Sequence, residues 1–329
     1  FLTIGWKQLS SSGTSPINLR IKTMARCLVT GHKGYIGTHL YEELEKLGHE
    51  VVGLDTEDPD TGSIQEILSN SHPKRHISHT GTSNARSPLF YENFKPEYIF
   101  HLACWPRVEY SVNEPLKTMQ NNVLATSYIL EFAKRVGCKR FIYSSSSSVV
   151  GEGDGPESPY ALQKYTSEIE TTLYHKLYGM DTVSLRYFNV YSPDQRADGP
   201  YATAIANWME FIRSGKKPFI TGDGEQKRDM LHVSDAVAAN IFAMQNEDNF
   251  CGAVYDVGTG SNISLNEIKD IVLQYFPDIE FEYRDPRPGD ILETRADVSE
   301  FEKVGWRTKK DITGGVEECF KLLGKEINV

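Results

Sequence analysis

The chain has 329 residues, 39% of them hydrophobic, which is enough for a sizeable core in one large domain or two coupled ones. The formal net charge is −10 and no long run of lysine or arginine occurs, so the composition argues against a nucleic-acid-binding protein. No apolar run approaches the roughly 20 residues that a membrane span needs.

The first 24 residues are predicted to be an extension or a tag-like segment. They are rich in serine, threonine, glycine and asparagine, and Met24 directly precedes the first strand pattern. A transit peptide is the alternative, because residues 1–23 contain Lys7, Arg20 and Lys22 and no acidic residue.

Apolar runs and helical patterns then alternate, which predicts a parallel sheet covered by helices. The predicted strands are Arg26–Thr30, Glu50–Asp55, Arg75–Thr80, Tyr98–Leu102, Arg140–Ser145 and Thr182–Arg186. The predicted helices between them are Tyr35–Leu47, Ile64–Ser69, Leu89–Phe94, Pro115–Val136 and Pro159–Tyr178.

The pattern changes after Arg186, where loops and shorter elements take over. This half is predicted to contain the helices Thr203–Ser214, Ser234–Met244 and Thr313–Leu323 and the strand Ala253–Val257, with Ser234 as an N-cap. The expected fold is α/β: a Rossmann-type doubly wound parallel sheet with a smaller, interleaved α/β substrate-binding domain.

A glycine-rich turn joins the first strand to the first helix. Gly31, Gly34 and Gly37, with Tyr35 and Ile36 between the last two, allow the backbone to approach a pyrophosphate at a helix N-terminus. Asp55 ends the next strand, where its carboxylate can hold ribose hydroxyls and repel a 2′-phosphate. The pattern therefore predicts NAD rather than NADP, and the weaker alternative is a plain strand–helix turn.

Tyr160 and Lys164 open a predicted helix and lie four positions apart, on one face. Positive charge from Lys164 and from an oxidised nicotinamide favours the phenolate that a base at neutral pH requires. The serine run Ser144–Ser148 ends a predicted parallel strand, where ligands of such sheets bind. One of its hydroxyls can therefore hydrogen-bond a reacting sugar oxygen.

With these motifs in place, the chain resembles an extended short-chain dehydrogenase/reductase of the NAD-dependent epimerase/dehydratase family. The matching segments are Thr30–Gly37, His101–Ala103, Asn121–Val123, Phe141–Gly151, Tyr160–Lys164, Arg186–Pro193, Gly222–Asp235 and Arg287–Asp290. The resemblance implies an NAD-binding domain formed by residues 25–188 plus about 229–262. It also implies a nucleotide-sugar-binding domain formed by about 189–228 plus 263–329.

The resemblance assigns roles to individual residues. Ser146 becomes the catalytic hydroxyl, Tyr160 the base and Lys164 the group that holds the nicotinamide ribose. The implied NAD-binding residues are Gly31, Gly34, Tyr35, Ile36, Gly37, Asp55, Leu102, Ala103, Asn122, Tyr160 and Lys164. The implied substrate-binding residues are Ser146, Asn189, Arg228 and Arg287.

The resemblance also indicates the reaction. Dehydratases place an Asp-Glu pair after the catalytic hydroxyl, and decarboxylating members carry a glutamate nearby, whereas this chain has Ser147 and Ser148. What remains is 4-epimerisation of a UDP-hexose, in which hydride leaves sugar C4 for retained NAD and returns to the opposite face. A dehydrogenase or reductase that releases its cofactor is the alternative, and a non-catalytic NAD-binding module is a third reading.

The chain departs from the family pattern at several positions. Val150 replaces a tyrosine, Ser192 a glycine, Asp194 an arginine and Thr82 an aspartate, and the loop 151–159 is short. These changes leave the sugar undetermined.

Partners, compartment and metals are expected as follows. By analogy with the family, the chain forms a homodimer through helices Pro115–Val136 and Pro159–Tyr178. The five scattered cysteines predict reduced thiols of a cytoplasmic protein. No metal site is predicted, because the segment containing His72, His76 and His79 lacks a carboxylate or cysteine to complete a ligand set.

Overall fold

The computed structural model describes residues 24–55, 88–106, 108–151, 153, 155–198, 202–286 and 292–327. Its strands are β1 Arg26–Thr30, β2 Glu50–Leu54, β3 Tyr98–His101, β4 Arg140–Ser146, β5 Thr182–Tyr187, β6 Val190–Tyr191, β7 Phe219–Thr221, β8 Lys227–Arg228, β9 Leu231–His232, β10 Ala253–Val257, β11 Ile263–Ser264 and β12 Glu282–Arg284. Its α-helices are α1 Tyr35–Lys46, α2 Pro88–Phe94, α3 Val108–Asn113, α4 Pro115–Met119, α5 Ala125–Val136, α6 Pro159–Tyr178, α7 Ala204–Arg213, α8 Val233–Gln245, α9 Leu265–Tyr275, α10 Ser299–Lys303 and α11 Ile312–Ile327.

The central sheet is parallel throughout its described strands, which lie in the order β10-β5-β4-β3-β1-β2. From β1 the chain moves to β2 on one side and to β3, β4, β5 and β10 on the other. The order therefore reverses between β1 and β3, and a doubly wound sheet binds its ligand at such a point, beyond the carboxyl ends of the strands. The predicted Rossmann-type α/β fold is confirmed.

Apolar residues bury both faces of this sheet, because successive strand residues point to opposite sides. In β1, Cys27 and Val29 join a core with α1 and α8, whereas Leu28 joins a second core with α5. Both cores are fully packed, and β1 between them is almost completely shielded from solvent. Continuous burial of this kind is typical of parallel strands.

A third core lies in the part of the chain predicted to bind substrate, about 189–228 plus 263–329, which we call the substrate-side half. It is built from buried side chains of α7, α9 and α11, which include Trp208, Ile212, Ile268, Val272, Val316 and Phe320. Phe301 instead packs into the first core against Tyr255 of β10, and Trp306 stacks on Phe301 in the same core. This segment of the predicted second domain therefore belongs to the packing of the Rossmann sheet.

Several predicted elements differ from the structure or lie outside it. The predicted helix Pro115–Val136 is interrupted by one π-helical turn, Gln120–Leu124. Ser234 is not the N-cap of α8: the helix starts at Val233, and the ring Nδ1 of His232 accepts the Ser234 N–H at 3.2 Å. The predicted helix 64–69 and strand 75–80 lie outside the described residues, as does Thr82. Within the described ranges, no helix is both long and apolar enough for a membrane span.

Candidate active site

The turn after β1 is shaped by glycines that leave no room for side chains. Gly31 has φ +71°, and a Cβ there would lie 2.7 Å from the backbone nitrogen of Ala103. A Cβ on Gly37 would lie 2.0 Å from the carbonyl oxygen of Gly31. Gly34 is the N-cap of α1, whose first N–H groups have no intrahelical acceptor. The turn is thus a cradle of the kind that holds the pyrophosphate of NAD.

The neighbouring strand ends close this cradle on two sides. Thr30 accepts the N–H of Leu102 on its carbonyl oxygen at 3.1 Å and that of Ala103 on Oγ1 at 3.3 Å. The carboxylate of Asp55 accepts the Lys33 N–H at 3.0 Å. The structure therefore brings Leu102, Ala103 and Asp55 to the glycine turn, and their contact with NAD stays a prediction.

The side chains of Tyr35 and Ile36 point away from the cradle. The hydroxyl of Tyr35 is hydrogen-bonded to Ser192 Oγ at 2.5 Å, and Ile36 packs against the first core. Ser192 in turn donates to Asp194, which also pairs with His39 at 3.1 Å. Tyr35 and Ile36 are therefore available to NAD through their backbone N–H groups. The two departures at 192 and 194 tie α1 to the substrate-side half.

Helix α6 carries the predicted base at its first turn. Ser158 caps it by accepting the Ala161 N–H at 3.2 Å, and Pro159 occupies the first helical position. The backbone N–H of Tyr160 donates to Ser111 Oγ of α3 at 3.0 Å. The backbone of Tyr160 is thus fixed at the helix start by the Ser111 side chain of a neighbouring helix.

Ser146, Tyr160 and Lys164, the three residues predicted to be catalytic, meet at the carboxyl end of β4, and we call them the catalytic cluster. The ammonium of Lys164 is buried and donates to the Ser144 carbonyl at 2.7 Å. Burial raises the pKa of the Tyr160 phenol above its usual value, while the charge of Lys164 and the hydrogen bond with Ser146 act in the opposite direction. Burial acts to lower the pKa of Lys164, yet its contacts with Cys104 and Tyr160 leave that pKa raised. The charge of Lys164 alone therefore does not outweigh the burial of Tyr160.

The serine run divides its hydroxyls among three tasks. Ser144 Oγ is hydrogen-bonded to the Tyr187 hydroxyl at 3.2 Å, and Ser145 Oγ donates to Glu168 at 2.5 Å. Ser146 ends β4 and accepts the Ser148 hydroxyl at 3.0 Å. The third and fifth serines of the run thus contact one another, and the third belongs to the catalytic cluster.

Asn122 is buried in the π-helical turn and grips the loop after β3. Its Oδ1 accepts the Trp105 N–H at 2.7 Å, and its Nδ2 donates to the Trp105 carbonyl at 3.0 Å and to Gln163 Oε1 at 2.7 Å. Its amide is therefore committed to this loop and to α6. Direct contact of Asn122 with NAD stays a prediction, and the geometry makes it a residue that positions the loop.

Two predicted substrate-binding residues line one cavity of about 210 Å³. Asn189 has φ +30°, and its Nδ2 donates to the Asp229 carbonyl at 2.8 Å. Arg228 of β8 and Phe219 of β7 face the same space. Arg287, the third, lies outside the described residues.

Sequence reasoning missed residues that support the cluster. Cys104, which directly follows the His101–Ala103 motif, contacts the Lys164 ammonium. Gln163, inside the Tyr160–Lys164 motif, donates to Thr118 Oγ1 at 2.9 Å and fixes α4 against α6. Cys104 lies directly beside one predicted motif and Gln163 lies inside another, and this proximity is the sequence signal that could identify them.

No group of three or more His, Cys, Asp and Glu side chains in the described ranges could hold a metal ion. The predicted segment with His72, His76 and His79 lies outside those ranges.

Comparisons with known proteins agree with this geometry. The model of the NAD dependent epimerase/dehydratase family matches residues 27–258. The chain is 32% identical to UDP-glucose 4-epimerase of Mycolicibacterium smegmatis over 313 residues, which is 91% of this chain and 98% of that protein. It is also 33% identical over 264 residues to UDP-N-acetyl-alpha-D-glucosaminuronate decarboxylase of Bacillus cytotoxicus, 76% of this chain and 79% of that one. A solved structure of UDP-glucose 4-epimerase from Thermotoga maritima with UDP-glucose matches with a TM-score of 0.79 at 28% identity, covering 92% of this chain and 99% of that chain.

The doubly wound sheet and its glycine cradle define a dinucleotide-binding enzyme with a Rossmann domain. Within that class, the chain belongs to the NAD-dependent epimerase/dehydratase family, because the family model covers more than half of it and the UDP-glucose 4-epimerase, 32% identical, aligns with 91% of it. Its cofactor is NAD, and its relatives act on nucleotide sugars. The predicted family and cofactor are confirmed.

Proposed function

We propose that this enzyme is a UDP-hexose 4-epimerase that exchanges hydride between sugar C4 and retained NAD. The observation that carries the proposal is the catalytic cluster: Ser146, Tyr160 and Lys164 converge at the carboxyl end of β4. The glycine cradle lies after β1 of the same sheet, on the same edge. A nicotinamide and a sugar hydroxyl can therefore meet between them.

Each residue of the cluster has a separate task. Tyr160 takes the proton of the sugar 4-hydroxyl, and Ser146 holds that oxygen through its own hydroxyl. Lys164 holds the nicotinamide ribose while its charge opposes the effect of burial on the Tyr160 pKa. When bound, NAD supplies the hydride acceptor and a positive ring charge beside the phenol.

The nucleotide is proposed to occupy the cavity shared by Asn189, Phe219 and Arg228. An aromatic ring and an amide suit a nucleobase, and the guanidinium suits a diphosphate. Arg287 is proposed as a second cation for the diphosphate.

The residues after the catalytic hydroxyl favour epimerisation over elimination or decarboxylation. Dehydration needs an added acid and base beside the hydroxyl, and Ser147 and Ser148 offer no carboxyl group there. The similarity to a decarboxylase makes loss of CO₂ from a UDP-uronic acid the second candidate. A dehydrogenase that releases NADH remains the third.

The test is incubation of the purified enzyme with a panel of UDP-hexoses, UDP-N-acetylhexosamines and UDP-uronic acids, followed by product separation. We expect a 4-epimer from at least one sugar without added NAD, and loss of turnover in Tyr160→Phe with NAD still bound. Tyr178→Phe, an exposed tyrosine at the end of the same helix, is the matched control and should keep its activity. A decarboxylated product, steady formation of NADH, or an active Tyr160→Phe enzyme would each overturn the proposal.

We also propose a cytoplasmic homodimer. Exposed apolar residues form a stripe along α6, which we name the apolar stripe: Leu162, Tyr165, Ile169, Leu173 and Leu177. Leu116 and Met119 of α4 are exposed as well. An apolar face that long suits a second copy of the same helices.

The proposed cytoplasmic location rests on the cysteines. All five are free thiols, in keeping with a reducing compartment.

A further inference from the structure

A row of polar side chains crosses three strands just before the catalytic hydroxyl. Ser145 of β4 pairs in register with Arg186 of β5, which pairs with Asp256 of β10. Paired residues of a parallel sheet point to the same face, so the three side chains lie side by side. The Arg186 guanidinium is 3.6 Å from the Asp256 carboxylate. We call these three residues the polar row.

Glu168 of α6 forms hydrogen bonds with two members of the polar row, Ser145 and Arg186. Its two oxygens accept Arg186 Nε at 2.7 Å and Nη2 at 2.8 Å, and Ser145 Oγ donates to Oε1 at 2.5 Å. Glu168 is only 2% exposed. Burying such charges is costly, and apolar residues of similar volume would often serve stability equally well. The buried ion pair is therefore weak evidence for a purely stabilising role.

Through Glu168, the polar row is joined to α6, so that it links the same two elements, β4 and α6, that carry the catalytic cluster. Tyr160, Lys164 and Glu168 follow at four-residue intervals along one face of α6. Ser145 lies between Ser144, whose carbonyl accepts Lys164 Nζ, and Ser146. A shift of the strand end against the helix would move every contact of the cluster at once.

We propose that Ser145, Glu168 and Arg186 form a positioning clamp that fixes the end of β4 against α6. The clamp touches neither sugar nor NAD. It holds the Ser144 carbonyl and the Ser146 hydroxyl at the distances from Lys164 and Tyr160 that proton transfer requires, a geometry to which rates are steeply sensitive. Its effect on turnover rests on the epimerase function proposed above, whereas its effect on the strand end does not.

The test compares Ser145→Ala with Ser184→Ala. Ser184 is a fully buried serine of β5 whose hydroxyl has no hydrogen-bond partner among the described residues, so its removal controls for the loss of a buried hydroxyl. Turnover of the UDP-sugar and native-state amide exchange of residues 140–150 are measured on both variants. We expect Ser145→Ala to lower kcat about tenfold with KM changed less than about twofold.

Amide exchange gives the readout that does not depend on activity. Exchange in residues 140–150 should be at least about tenfold faster in Ser145→Ala than in the wild-type enzyme, and unchanged in Ser184→Ala. Equal exchange in wild type and Ser145→Ala would overturn the clamp, and so would an equal kcat. An equal loss in the Ser184→Ala control would also overturn it. A wild-type enzyme inactive on every UDP-sugar would count against the proposed function alone, and amide exchange would still decide the clamp.

Discussion

Among single residues, His101 is a buried histidine whose ring stays uncharged near the ammonium of Lys164. The ring is completely buried, with Nδ1 at 2.7 Å from Thr30 Oγ1 and Nε2 at 2.9 Å from Thr126 Oγ1. Burial lowers the pKa of His101 to about 3, and the nearby charge of Lys164 acts in the same direction. His101 is therefore neutral in the folded protein at neutral pH.

This neutral histidine should make stability depend on pH. Between about pH 6.5 and about pH 3, the unfolded chain binds a proton on His101 that the folded chain refuses, so acid favours unfolding. We expect this group to remove up to about 1.4 kcal/mol of unfolding free energy per pH unit as the pH falls below about 6.5. Urea denaturation at about pH 7 and about pH 5 measures it.

His101→Gln is the matched variant for that measurement, because its amide can still bond one threonine but does not titrate. Its unfolding free energy should fall less between the two pH values than that of the wild type. Identical falls in both proteins would contradict a neutral buried His101.

Functional residues are predictable from the sequence where a local spacing brings their side chains together. Tyr160 and Lys164 were recognisable because a spacing of four places two side chains on one helical face. The acceptor of Lys164 is a backbone carbonyl, at Ser144, and backbone atoms leave no mark in a sequence. The Tyr35–Ser192 contact joins positions 157 residues apart, so no local pattern could indicate it.

At the scale of elements, the π-helical turn 120–124 does what a regular helix could not. The extra residue of this turn directs the Asn122 side chain inward. There its amide forms hydrogen bonds with the N–H and the carbonyl of Trp105 and with Oε1 of Gln163. Such turns recur at functional sites of helices. The sequence predicted one continuous helix here, because an apolar pattern over 22 positions does not register a single inserted residue.

Removing the Asn122 amide should be costly. Asn122→Ala leaves the Trp105 N–H, the Trp105 carbonyl and the Gln163 amide short of a partner in a buried place. We expect a loss of about 2 kcal/mol or more in unfolding free energy, measured by urea denaturation. Asn121→Ala, one position earlier in the same turn and half-buried, is the control, and a loss as large in that variant would count against the assignment.

Strand positions were well predicted and caps less so. Buried parallel strands read as apolar runs, which is why the start of every main-sheet strand within the described residues matches the prediction. Serine is a common N-cap, so Ser234 was the natural choice, but the His232 ring takes that place in α8. The N-cap depends on the position at which the chain enters the helix. Here β9 ends at His232 and α8 begins at the next residue, so His232 is the cap.

At the scale of the whole molecule, three cores are interleaved along the chain. Phe301 and Trp306 return to the Rossmann core after the substrate-side core has begun. Sequence patterns indicate that a residue is buried, but they do not indicate which core it joins. The fold class was therefore predictable, while this crossing of the predicted boundary was not.

The apolar stripe gives the assembly prediction. Ile169 is 53% exposed in the middle of α6, so Ile169→Glu would place two charges against each other at a twofold contact of these helices. We expect the wild-type enzyme to have twice the chain mass by light scattering after size exclusion, and Ile169→Glu to have the mass of one chain. Leu322→Glu, at a similarly exposed leucine of α11, should remain dimeric. A wild-type monomer, or equal masses for Ile169→Glu and the wild type, would contradict the proposed interface.

The fate of the hydrogen at sugar C4 tests the central claim most directly. The enzyme is given the UDP-hexose that it turns over, labelled with deuterium at C4, in ordinary water, and the recovered epimer is analysed by NMR and mass spectrometry. Hydride transfer to and from retained NAD predicts an epimer that keeps the deuterium at C4. An epimer that has lost the label to solvent would contradict the account.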